Sequence, residues 1–207
     1  MGYEYDVFLS YKRKPPFEEW LHIYFLPLFK NILAEYLDGT PKIFLDIDEI
    51  KPGETWDKRL NQALACSRCL ICIWSPKYFQ SEWCVNELAI MRYREMRLKY
   101  RTKNNPSGLI IPVKVCDGET FPRAVEEIQC KDFRKFALSS PGFKNTADHS
   151  EFESQMQLWV PSVAPIIRNA PEWRNKWLKW VDNAQVRDLK SRILVASSEI
   201  AFPAPVL

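Results

Sequence analysis

A chain of 207 residues is the size of one ordinary domain, with room for an appendage. It is 46% hydrophobic and 14% aromatic, with eight tryptophans, enough for a sizeable core. Its formal net charge of +3 comes from acids and bases interspersed along the chain, which speaks against the clustered basic groove of a nucleic-acid binder.

The first predicted element is a strand in "YEYDVFLSY", a short run rich in β-formers that ends in the polar "SYKRK". After the prolines at 15 and 16, apolar residues at helical spacing (Phe17, Trp20, Leu21, Tyr24, Phe25, then Leu33 and Leu37) predict a helix. Pro27 is expected to kink or split it, and Gly39 and Pro41 to close it. "KIFLDID" is a second strand, followed by the loop "EIKPGE" and a helix over "WDKRLNQALA", with Thr55 as a partial cap. "CLICIWS" is apolar almost throughout, as suits a parallel strand buried on both faces. A short helical turn and a long helix follow in "SPKYFQSEWCVNELAIMRYREMRLKY", with Ser81 as N-cap; its basic run, and "YRTKNN", read as a solvated face and a helix end. "LIIPVKV" is a fourth strand and "KDFRKFAL" a weaker fifth. A helix from about 151 to 167 closes the unit, with His149 in a loop before it.

Strands alternating with helices predict an α/β fold: a flavodoxin-like five-stranded parallel sheet with helices on both faces. The expected division is one domain over 1–168 and a Trp-rich helical extension and tail over 169–207. Trp173, Trp177 and Trp180 fall at i, i+4 and i+7, on a helix either packed back on the domain or facing a partner. In such a sheet ligands bind beyond the carboxyl ends of the strands, near the reversal of strand order. The loops after the first three strands, "SYKRK", "DIDEIKPGE" and "SPKYFQSEW", are therefore the expected site.

Some chemistries lose ground at once. The six glycines stand at 2, 39, 53, 108, 118 and 142, so neither a dinucleotide fingerprint nor a phosphate-cradling loop can be built. With only His22 and His149, no Ser–His–acid set is persuasive. Cys66, Cys69 and Cys72 have the spacing of metal ligands but no obvious fourth partner, and small buried hydrophobes is the better reading. Cys69 and Cys72 should face opposite sides of the third strand. No secretory signal or membrane-length apolar run is visible, and Asp6 stands where myristoylation wants a hydroxyl, so a soluble, cytoplasmic chain with reduced thiols is expected.

Three fragments in order carry a resemblance: "YDVFLSY", "IFLDIDEIKPGE" and "LICIWSPKYFQSEWCVNEL". Over residues 3 to about 168 the chain resembles a TIR domain (Toll/interleukin-1 receptor/resistance protein). The last fragment holds the Ser-x-Trp-Cys-x-x-Glu-Leu pattern. The resemblance implies either an adaptor that assembles with other TIR domains or an enzyme that cleaves NAD at the nicotinamide–ribose bond with one glutamate, here Glu87. A carboxylate suits that reaction, because departure of nicotinamide leaves a cationic ribose. Nicotinamide is already a good leaving group, so no second acid and no metal are needed, and NAD enters as substrate.

Further site residues are carried over around Glu87. Trp83, on its helical face, would wall the ribose site or belong to the core. Tyr11, Lys12 and Arg13 follow the first strand; the two cations would offset pyrophosphate charge or simply be solvated. Phe8 and Ser10 would line the floor. Asp46 would serve there or cap a turn, and Trp56 would shelter the ring or pack its helix. Ser75 and Tyr78 fill the loop after the third strand, whereas Ser81 suits a cap better than a ligand. The resemblance also implies self-association, or capture of other TIR domains, through the loop from Glu49 to Glu54. A near free-standing chain is similar to the signal-making TIR subunit of Thoeris antiviral defence, whose product a separate effector senses.

Overall fold

The computed structural model describes residues 2–45, 56–117, 121–181 and 183–200, with the side chains of 56, 57 and 197–200 left aside. Five parallel strands, β1 (Tyr5–Ser10), β2 (Ile43–Phe44), β3 (Ser67–Trp74), β4 (Ile110–Lys114) and β5 (Lys131–Asp132), lie in the order β2-β1-β3-β4-β5. This is the flavodoxin-like order, with its reversal between β1 and β3. Register pairs Val7 with Ile43 on one side of β1 and Ser10 with Cys72 on the other.

Period-two alternation divides the core in two. Val7, Leu9, Cys69, Ile71 and Ile73 face one layer, formed by α1 (Phe17–Trp20), α2 (Leu26–Ala34) and α6 (Ala147–Arg168). Phe8, Leu70, Cys72 and Trp74 face the other, formed by α3 (Trp56–Ala65), α4 (Pro76–Phe79), α5 (Glu82–Arg97) and α7 (Ala184–Ile200). Cys69 and Cys72 thus take opposite faces, as their spacing requires.

The helix around Pro27 is divided into α1, a wide π turn over Leu21–Phe25 and α2, with the proline in the first turn of α2. Several elements differ from expectation. β5 pairs over two residues before giving way to a 3-10 turn at Arg134–Phe136. Helix α6 starts at Ala147, where the Thr146 side chain accepts from the His149 N–H, so His149 is helical rather than in a loop. The tryptophans of the extension lie around a short 3-10 turn, Asn175–Lys179, and regular helix resumes only at α7. The closing "AFPAPVL" lies outside the described residues. No helix of the described residues is long and apolar enough to cross a membrane.

The basic run of α5 is the largest departure. Arg94 is fully buried, and its Nη1 donates to Ser67 O at 2.8 Å while Nη2 donates to Leu64 O at 3.0 Å and Ala65 O at 2.9 Å. Leu64 and Ala65 end α3, so the guanidinium caps carbonyls that the helix leaves unsatisfied. Its carbon lies 4.4 Å from the centre of the Trp177 ring, a cation–π contact. Burial lowers the pKa of Arg94 to about 10, still well above neutral, so it remains a cation. Around it, Trp173 Nε1 donates to Ala65 O and the Tyr3 hydroxyl to Pro171 O.

Glu95 is buried beside it. Oε1 accepts from the N–H groups of Leu109 and Ile110, at 2.6 and 3.0 Å, and Oε2 from Arg101 Nε at 2.9 Å and Arg92 Nη1 at 3.2 Å. Arg101 also donates to Ile110 O at 2.7 Å. Together they satisfy the start of β4, below the point where β5 begins to pair. Gly108 makes room for this: a Cβ there would lie 2.1 Å from Arg101 Nη2. The far side of α5 is covered by α7, and Leu189 and Ile193 line a cavity there together with Leu88 and Met96.

Replacing Trp177 with Ala should remove the lid from Arg94 and leave a large void. A loss of about 3–5 kcal/mol is expected, read from the urea unfolding midpoint.

Candidate active site

A cavity of about 170 Å³ opens at the carboxyl ends of β1 and β3, at the reversal of strand order. Phe8, Leu9 and Ser10 of β1, the following Tyr11, Lys12 and Arg13, and Ser81, Trp83, Cys84 and Glu87 at the start of α5 line it. Its volume lies below the roughly 300–1,000 Å³ typical of small-molecule pockets.

Glu87 is 7% exposed, so it is not a solvated helix acid. Ser10 Oγ donates to its Oε2 at 2.5 Å. The Tyr78 hydroxyl lies 2.9 Å from Ser10 Oγ and 3.1 Å from the Cys84 carbonyl oxygen, to which it can donate. Alternation in β1 sends Ser10 to the α5 side, beneath the carboxylate. Trp83, one turn earlier, is 46% exposed and forms part of the cavity wall; it is not core. Lys12 and Arg13 are half-buried on the opposite lip and bring positive charge there.

The remaining site residues fall elsewhere. Ser75 and Ser81 exchange their expected roles: Ser75 caps α4, its Oγ accepting from the Tyr78 N–H at 3.2 Å, whereas Ser81 holds the cap position of α5 without a side-chain capping bond and lines the cavity. Tyr78 is wholly buried behind the wall and cannot touch a ligand. Asp46 and the loop from Glu49 to Glu54 lie outside the described residues, as does the side chain of Trp56, whose backbone opens α3. Two lining residues were missed, Leu9 and Cys84; the latter stands between Trp83 and Glu87 in the motif, and its Sγ donates to Tyr11 O at 3.4 Å. The neighbouring Tyr11 hydroxyl and His22 Nε2, which comes from the π turn, are 3.0 Å apart.

Burial raises the thiol pKa of Cys72, beneath Tyr78, well above its ordinary value, despite an opposing hydrogen bond from that tyrosine. The thiols of Cys116 and Cys130 are pushed up to about 11, chiefly by burial. All six cysteines are unbridged. Among the described residues no group of three or more His, Cys, Asp or Glu gathers as a metal site.

A parallel sheet of this order, with a buried carboxylate on α5 lining a cavity beyond β1, defines a small doubly wound α/β module. The family model described as TIR domain matches residues 29–146, more than half of the chain, and the chain belongs to the TIR domain family. One relative, named probable 2′ cyclic ADP-D-ribose synthase BdTIR, from Brachypodium distachyon, is 34% identical over 99 residues. That match covers 46% of this chain and 41% of the relative, so the chain spans less than half of that protein's length. Among solved structures, the TIR domain of the Toll-related receptor TRR-2 from Hydra magnipapillata matches at 20% identity and TM-score 0.46, covering 73% of this chain and 98% of that one. The TIR domains of the activated Roq1 resistosome match at 20% identity and TM-score 0.39, covering 93% and 98%.

The raised thiol pKa values give a reactivity test. A thiol of pKa about 11 is only about one part in a thousand thiolate at pH 8, against roughly a quarter for an unperturbed one. Alkylation of Cys116 and Cys130 in the native protein should therefore be slow at pH 8. It should rise about tenfold per pH unit up to about pH 11, followed by mass spectrometry of labelled peptides.

Proposed function

We propose that this TIR domain cleaves the nicotinamide–ribose bond of NAD, with Glu87 as its catalytic carboxylate. The observation that carries the reading is a glutamate buried at the wall of a cavity, held by a hydroxyl, in the crevice where this fold binds ligands. The family and the name of the 34% identical relative support it.

The chemistry follows from the charges. The bond between C1′ and the pyridinium nitrogen breaks with its electron pair going to nitrogen, so nicotinamide leaves neutral and the positive charge passes to the ribose. A carboxylate about 4 Å away in a partly buried site stabilises that charge by about 4 kcal/mol, roughly a thousandfold in rate. Water or a hydroxyl then adds to C1′ and gives up its proton. Water yields ADP-ribose, and a hydroxyl of the same nucleotide yields a cyclic product, the class in the relative's name. The cavity takes the nicotinamide or ribose end; Lys12 and Arg13 on the lip offset pyrophosphate charge, and the exposed Trp83 ring offers a stacking face. The product serves as a signal for a separate effector, the arrangement of an antiviral cytoplasmic system. Self-association through the loop from Glu49 to Glu54 completes the proposed working form.

Purified protein incubated with NAD should release nicotinamide, and Glu87→Ala or Glu87→Gln should slow release about a thousandfold without changing the melting temperature by more than a few degrees. Chromatography of the cofactor and mass analysis of the products measure both. Undiminished turnover in a folded Glu87 variant overturns the assignment, and absence of nicotinamide with the unaltered chain leaves a scaffold.

A further inference from the structure

Between the floor of the cavity and the core runs a short chain of polar atoms: Glu87 Oε2, Ser10 Oγ at 2.5 Å, the Tyr78 hydroxyl at 2.9 Å, and the Cys84 carbonyl oxygen at 3.1 Å. Ser10 and Tyr78 are buried, and Tyr78 has no surface in the cavity. We propose that Tyr78 and Ser10 are positioning residues that aim the Glu87 carboxylate. The inference rests on the cleavage reading above for what the carboxylate is positioned to do.

Geometry carries it. Ser10 Oγ donates to Oε2 from the end of β1, and Tyr78, wholly buried, holds its hydroxyl between Ser10 Oγ and the Cys84 carbonyl oxygen. Ser10 therefore gives the carboxylate a direction, and Tyr78 gives Ser10 one.

This matters because a carboxylate that faces the ribose cation must be held in place before the cation forms. The chain of hydroxyls fixes where Oε2 lies relative to the cavity without itself touching the substrate at Tyr78; its role is aim.

The test uses Ser10→Ala and Tyr78→Phe, each checked for folding by thermal melting, with two readouts. The first is nicotinamide release from NAD, as kcat and KM against pH. The second needs no substrate: titration of the Glu87 carboxyl carbon by NMR in protein carrying 13C-labelled glutamate, assigned with Glu87→Gln. Removing the donor to the anion in Ser10→Ala should move the carboxyl titration, and the acid limb of the rate profile, to higher pH, with kcat falling about a hundredfold through loss of aim. Tyr78→Phe should lower kcat about fivefold with KM unchanged, as befits a residue that acts through another. A folded Ser10→Ala protein with unaltered titration and kcat overturns the proposal, and a Tyr78→Phe protein identical to wild type in both readouts removes Tyr78 from it. If the unaltered chain releases no nicotinamide yet Ser10→Ala shifts the titration, the cleavage reading falls and the positioning stands. The reverse pattern removes the positioning and leaves the cleavage.

Discussion

The rotation of helix α5 about its own axis is the constraint on which the site depends. Arg94 sets it. A guanidinium that donates to three carbonyl oxygens and has an indole against it is held in direction, and the carbonyls belong to the end of α3 and the start of β3. Glu87 lies seven residues earlier, nearly the same azimuth and about 10 Å along the axis. Whatever fixes the direction of Arg94 therefore fixes the direction of Glu87. Burying a charge costs several kcal/mol unless it is fully paired, and removing one partner is worse than never having buried it. The extension, through Trp177, thus belongs to the machinery that aims the carboxylate, although it lies far from the cavity in sequence.

The second determinant is parity. From Val7 in β1 and Cys69 in β3 onward, even-numbered residues face the layer containing α5, and odd-numbered ones face α2 and α6. That choice sends Phe8 and Ser10 toward Glu87, and Cys72 and Trp74 to the same side. It also explains why the apolar run of β3 tolerates two cysteines: each is a small filler on a different face. A one-residue slip between β1 and β3 would put Leu9 under the carboxylate in place of a hydroxyl.

These features were unequally legible in the sequence. The strands, the helix over "WDKRLNQALA" and the burial of Glu87 follow from local pattern and motif, because each depends on residues a few positions apart. Arg94 and Glu95 look like solvated charges in "MRYREMRLKYR", since their partners, at 64–67 and at 101–110, are brought together only by the sheet. The cover on the far side of α5 was also missed, although Val186, Leu189 and Ile193 carry the spacing of a helix face. Ser75 and Ser81 could not be told apart: both precede helices, and which one caps turns on backbone geometry rather than residue type. Asp46, the loop from Glu49 to Glu54 and the side chain of Trp56 lie outside the described residues, and the sequence argument for them stands alone.

Helix α5 buries two glutamates eight residues apart, and the contrast between them separates structure from chemistry. Glu95 has both oxygens occupied, by two backbone N–H groups and by the guanidinium groups of Arg92 and Arg101, and it sits against the start of a strand. Its charge is consumed in holding β4, and a substrate could gain little from it. Glu87 accepts a hydrogen bond at Oε2 from the Ser10 hydroxyl and lines a cavity, where a ligand can reach it. On the cleavage reading proposed above, a carboxylate that is to meet a cation formed only in the transition state has to be fixed in place beforehand. Of the two buried acids, only Glu87 lines the cavity beyond β1.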